Sequence, residues 1–270
     1  MLQFASNWLH ALPLGWMAVV VFGGTYVVAV VIYAIVRGLA TPERARSFKA
    51  VSSGMLSPLG LLFGLFVAFT AAQVWSDNDR AENAVIREAS AFRAVTLLAA
   101  SFPGEPEARL RALIRQHIEE VIAQEWPMMS RRTASLIVTP QVLAEALQTA
   151  IALTPANPGQ QTAQNQIVAQ LEAGFEARRD RILLSRSQVG PLKWLCVCIQ
   201  AVGILLGIAL VHCEDRLAGA LALGIFATGI ATTLLLIIAF DRPFLGQLAV
   251  TPQALIQVMP DIPQASRRSG

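Results

Sequence analysis

The sequence predicts an all-α integral membrane protein with four transmembrane helices and a helical soluble bundle inserted between helices 2 and 3. Three observations predict it. Apolar stretches at 16–36, 55–75, 194–211 and 217–240 each approach the ~20 residues a helix needs to cross a ~30 Å hydrocarbon core. A lone segment in lipid must satisfy its own backbone hydrogen bonds, which makes each stretch a helix. Finally, 54% of residues are hydrophobic and only 14% charged, and the charges concentrate between residues 76 and 193. The divisions that follow are an N-terminal interfacial segment (1–15), a transmembrane hairpin (16–75), a helical soluble domain (76–192), a second hairpin (193–240) and a tail (241–270).

The start of the chain carries Trp8, Leu9 and Leu12 and reads as a short interfacial helix ending near Pro13. No cation precedes the first apolar stretch, and that stretch is long enough to span, so a cleaved signal peptide is not expected. The first span is rich in β-branched residues. A short connection over 38–54 follows, carrying Arg44, Arg46 and Lys49. The second span opens at Ser57-Pro58, where a proline in the first turn loses no hydrogen bond. Gly60, Gly64, Ala68 and Ala72 then recur every four residues, a small-residue stripe that lets helices approach closely in lipid.

No turn signal follows Trp75, so the second helix is expected to continue as a polar rod to about Ser101, where Phe102-Pro103-Gly104 breaks it. Further soluble helices are expected at about 107–125, from Thr139-Pro140 to about Leu153, and at about 160–189 after the Pro155–Gly159 loop. The last of these is expected to run, with a kink at Gly190-Pro191, into the third span. Gly203 and Gly207 give that span a close-packing face. The fourth contains Gly219, Gly224 and Gly229 with three threonines. After Phe240 the chain turns at Asp241-Arg242-Pro243-Phe244-Leu245-Gly246, and the last five residues are expected to be disordered.

The residues point away from several functions. A net charge of +3 with no aromatic-interleaved basic run gives no reason to expect nucleic-acid binding. The three cysteines, Cys196, Cys198 and Cys213, are odd in number and diverge around one helix, so neither a disulfide framework nor a metal site is expected. No phosphate loop, HExxH or nucleophile elbow is present, so no enzyme and no cofactor are expected. His117 reads as a structural core histidine. Asp77, Asp79, Glu82 and Glu88, with Arg80 and Arg87 among them, read as helix-face ion pairs. No span has an Asp, Glu, Lys or Arg in its interior, which argues against a proton relay and leaves room for a channel gated by an apolar constriction.

On the second helix Ser57, Leu61, Leu65, Ala68 and Ala72 share one slim face, within roughly 40° of Leu61 at about 100° per residue. Leu59, Phe63, Phe66 and Thr70 form the bulky opposite face. In a ring of copies the slim face would surround an axis, with Leu61 and Leu65 as two apolar rings. Periodicity alone is explained more simply by packing on a neighbouring helix.

The run from Pro58 through Gly64 to Trp75 resembles the second helix of bestrophin anion channels. Arg242-Pro243-Phe244-Leu245-Gly246 resembles the Pro-Phe-Gly segment of that family with one residue inserted. The order of parts matches too, and the chain is identified as similar to the bacterial bestrophin-like domain family. The resemblance implies a homo-oligomer, pentameric in the family, with an anion such as chloride passing a neck at Ser57, Leu61 and Leu65. It implies a multi-pass protein of the bacterial inner membrane. Two departures stand out: family necks are more aromatic, and the acidic calcium clasp of animal members has no counterpart here. By the positive-inside rule the connection at 38–54 would be cytoplasmic and the domain outside. The cations near the third span (Arg178, Arg179, Arg181, Arg186 and Lys193), taken with the resemblance, put the helical domain in the cytoplasm instead. The alternative function is a membrane-anchored sensor or scaffold whose helical domain binds a partner or ligand.

Overall fold

The computed structural model describes residues 12–137 and 139–261, with the backbone alone for 42–53. The expected interfacial helix lies almost wholly outside the described residues, as do the last five residues. Nine α-helices follow in order among the described residues: α1 (Leu14–Leu39), α2 (Pro42–Ala99), α3 (Glu105–Glu120), α4 (Trp126–Ser130), α5 (Gln141–Ile151), α6 (Pro158–Leu184), α7 (Pro191–Val211), α8 (Arg216–Phe240) and α9 (Gln253–Gln257). One π-helical turn, Val121–Glu125, joins α3 to α4. Four helices are long and apolar enough to span a membrane: α1, α2 from Gly54, α7 and α8. The protein is an all-helical membrane protein. It divides into two compact units. One comprises the described residues up to Ser76, Gln188–Arg242 and Gly246–Leu248; the other comprises Asp77–Ser187, Pro243–Leu245 and the chain from Ala249.

In the membrane unit, α1, α7 and α8 form the core. Ala29, Ile32 and Val36 meet Ile204, Leu205, Ile208, Leu223, Ala227 and Ile230, and α2 adds Leu56, Leu59 and Phe63 at the edge. A smaller cluster unites Val67, Val74, Val189 and Ile237. Between lipid-embedded helices such contacts act through van der Waals packing. The threonine hydroxyls of α8 are satisfied locally. Thr228, Thr232 and Thr233 donate to the carbonyls four residues back, and the Tyr26 and Thr228 hydroxyls share a 2.7 Å hydrogen bond. Asp215 caps α8, its side chain accepting from the Leu217 and Ala218 N–H groups, as an N-cap aspartate does.

The helical unit has one core. Ala81, Val85, Phe92, Val95 and Ala99 of α2 face Leu110, Ile114 and Ile118 of α3, Leu143 and Ala146 of α5, and Ile167, Leu171 and Ile182 of α6. The spacing on α2 is that of a helix burying one apolar stripe. Asn157 caps α6 by accepting from the Gln160 N–H at 2.9 Å, with Pro158 in the first turn, where its absent donor costs nothing.

Four expectations are corrected. First, the connection at 38–54 is mostly helix, because α2 begins at Pro42 and has Pro58 in its interior. Membrane helices accept an interior proline, since neighbouring groups re-satisfy the freed carbonyl. Second, α3 does not run unbroken to Glu125; it shifts to π geometry at Val121. Third, the long soluble helix stops at Leu184. The Arg186 and Ser187 N–H groups bond back only three residues, to Leu183 and Leu184, and six residues of turn and extended chain precede Pro191. The rod therefore does not run into the third span. Fourth, Glu88 is not a helix-face ion pair: it is completely buried.

Candidate functional site

Between Met55 and Trp75, α2 packs by one side only. Leu56, Leu59 and Phe63 lie against the membrane core, and Val67, Ala71 and Val74 against the second cluster. Thr70 is buried on this side and donates its hydroxyl to the Phe66 carbonyl at 2.8 Å. The slim face turns away from every described residue of the chain. Leu61 is 73% exposed and Leu65 51%, and Ser57, Ala68 and Ala72 are exposed as well. So are the bulkier Met55, Leu62 and Phe69 on the flank. Of the most apolar 18-residue window of this span only 6% is buried, against 22–33% for the other three. Every other span is held by neighbours within the chain; α2 lies at the margin.

The glycines follow the same division. A Cβ added at Gly60, Gly64, Gly203 or Gly224 would meet nothing within 4 Å. Gly207 is used within the chain, since a Cβ added there would come within 3.2 Å of the Leu56 side chain. Gly219 is tighter, since a Cβ there would come within 3.1 Å of the His212 carbonyl oxygen.

The segment after α8 serves each unit separately. In the membrane unit, buried Asp241 accepts a 2.6 Å hydrogen bond from the Val189 N–H, and Arg242 is buried too. In the helical unit, the Pro243 carbonyl accepts from the Val250 N–H at 2.7 Å. Phe244 meets Trp126 edge to face, with ring centroids 5.6 Å apart. Gly246 has φ +107°, a conformation that favours glycine.

The helical unit also holds a charge cluster that sequence reasoning missed. Arg181 is fully buried and donates from Nε and Nη2 to the two Glu88 oxygens, at 2.6 and 3.0 Å. Its Nη2 also reaches Glu125 at 2.9 Å, and its guanidinium lies over the Trp126 ring at 5.4 Å. Arg178 donates twice to the other Glu125 oxygen, at 2.8 and 2.6 Å. The π turn brings Glu125 between both arginines, a placement typical of π segments at sites under constraint. Burial is the largest single influence on Glu88 and disfavours its charged form, but the Arg181 guanidinium and the His117 ring beside it together outweigh burial and hold the carboxyl below its ordinary range. Likewise burial lowers Arg181, while Glu88 and then Glu125 together raise it by more, for a net upward shift. The signal was present: Leu171, Gly174, Arg178 and Arg181 repeat at four- and three-residue steps along the buried stripe of α6. Of the acidic cluster at the end of the second span, Asp77 does pair along the helix with Arg80, at 3.8 Å, and it also accepts from the Ser187 hydroxyl. Arg87 pairs instead with Asp180 of α6 at 2.7 Å. Among the described residues no three His, Cys, Asp or Glu side chains converge as metal ligands.

The family model described as the bestrophin-like domain matches residues 23–255. Solved structures with the same fold include two variants of a bacterial bestrophin homologue from Klebsiella pneumoniae. One superposes with TM-score 0.67 at 13% identity, over 88% of this chain and 97% of that one. The other gives 0.65 at 12%, over 88% and 96%. A structure described only as that of a membrane protein gives 0.64 at 14%, over 87% and 94%. No curated protein sequence matches the chain. At these identities the structures speak for the fold, and the family model for membership: this chain belongs to the bestrophin-like family.

Proposed function

We propose that the chain assembles as a homo-oligomer, pentameric as its family resemblance implies, and conducts ions along an axis lined by the slim face of α2. The observation that carries this reading is the exposure of Leu61 and Leu65 together with a span that its own chain leaves almost bare. A membrane helix of this kind has its contacts still to make, and small residues are what close helix approach requires. In a ring, Leu61 and Leu65 form apolar collars. A constriction of that kind sheds its water when narrow and so gates without a charged residue. The ion is an anion such as chloride, the membrane is the bacterial inner membrane, and the helical domain is cytoplasmic. The chain has no catalytic part in this reading.

The test is chloride flux from liposomes carrying the purified protein, with reversal potentials under a salt gradient to fix the sign of the permeant ion. Leu61→Ala and Leu65→Ala widen the collars and raise the flux severalfold. A strictly monomeric protein, or flux indifferent to both substitutions, overturns the proposal; a cation-selective reversal potential overturns the anion assignment alone.

A further inference from the structure

The helical unit encloses a half-open cavity of about 610 Å³, within the ~300–1,000 Å³ typical of small-molecule sites. His117 of α3 lines it while only 1% exposed. Its ring stacks edge-on against Phe92, and neither ring nitrogen is hydrogen-bonded to a protein atom. Its nearest charged group is Glu88, 3.9 Å from Nε2 and already held by Arg181. A buried polar group left so costs free energy until something pairs with it.

The charges around the cavity specify what that something is. Three carboxylates line it: Glu120, Glu125 and Glu145. Glu125 is committed to Arg178 and Arg181, and Glu145 to Arg109. Half-buried Glu120 is held only by the neutral Gln116 amide, at 3.0 Å, among the described residues. The one arginine of the lining, Arg178, is spent on Glu125. An anion entering would find no uncommitted cation, whereas a cation would find Glu120. Val121, Met128, Val142 and Ile182 supply an apolar wall.

We propose that this cavity binds a small organic amine, its ammonium on Glu120, its alkyl body on the apolar wall and a second polar group on His117. The two ring nitrogens of His117 suit hydrogen bonding to a hydroxyl or a second amine. The site lies within the helical unit and stands whether or not the chain conducts ions.

Calorimetric titration of the full chain in mild detergent tests this with three probes of equal length: 6-aminohexan-1-ol, hexane-1,6-diol and 6-hydroxyhexanoate. The amine is expected to bind saturably and at least about tenfold more tightly than the diol, with the carboxylate weakest, because only the amine forms a charge-assisted bond. Glu120→Gln should cost the amine about tenfold and leave the diol unchanged. His117→Phe should weaken amine and diol alike; if it disturbs the core, Glu120→Gln, on a half-buried side chain, still decides. No saturable amine binding, equal binding of all three probes, preference for the carboxylate, or an amine affinity unmoved by Glu120→Gln each overturns the proposal.

Discussion

Arg181 shows how a single side chain sets the terms for its surroundings. It is the largest fully buried side chain of the helical unit, and its charge is tolerable only because Glu88 and Glu125 take up its donors. The desolvation cost of such a pair nearly offsets its Coulombic gain, but removing one partner leaves an uncompensated buried charge. Arg181→Met is therefore expected to destabilise the helical unit by about 3–5 kcal/mol. The double variant Arg181→Met/Glu88→Leu should recover much of that loss. Unfolding followed by far-UV circular dichroism measures both. The pH dependence follows from Glu88. Its folded carboxyl titrates below the unfolded value of about 4.3, so its contribution is complete above that value and is lost as pH falls through the lower folded value. Acid unfolding should accordingly steepen below about pH 4.3, and Glu88→Gln should flatten that limb at the cost of lower stability at neutral pH. An acid limb identical in the variant would mean other carboxylates carry it.

At the scale of elements, glycine separates packing within the chain from packing beyond it. A Cβ at Gly174 of α6 would sit 2.8 Å from Phe92 of α2, and Phe92 is fully buried. Gly174→Ala should therefore cost the helical unit about 1–3 kcal/mol through overpacking while leaving the oligomeric state unchanged. Gly64→Leu should do the reverse, since a Cβ there would meet no neighbouring helix or side chain within 4 Å. Helix content should be intact, but light scattering should report smaller assemblies. An oligomer indifferent to Gly64→Leu would remove that face of α2 from any interface. The elements themselves were largely legible, for understandable reasons. Spans announce themselves by length and apolarity, and α2 by the lack of any turn signal between Trp75 and Phe102. The start of α2 was hidden because the cations at 44–49 look like a loop although they are equally good helix formers. The π turn was hidden because it preserves the composition of a helix while changing its register. The Glu88–Arg181 pair was hidden because its members lie 93 residues apart, and local reading assigned Glu88 to neighbours on its own helix. On the slim face, the sequence supplied the angular arrangement of Leu61 and Leu65, whereas what stands opposite them depends on contacts outside one chain.

For the whole molecule the question becomes what covers α2. A helix at a shared axis differs from a lipid-facing one in how close its copies come to one another. In a background free of Cys196, Cys198 and Cys213, Leu61→Cys at a central axis places the same thiol from several copies within reach of one another. Ile225→Cys, at a position 70% exposed on α8, a span more buried within the chain than α2, serves as the lipid-facing control. Oxidation in membranes should link Leu61→Cys copies into dimers at dilutions where Ile225→Cys stays monomeric on gels. Conductance should fall as the link forms, because a disulfide across the collar blocks the path it narrows. The two readouts are separable. Linkage with no change in flux would put α2 at an interface but the pathway elsewhere, and efficient linkage of both variants would report random collision in the bilayer. Only selective linkage coupled to lost flux ties the slim face of α2 to a conducting axis.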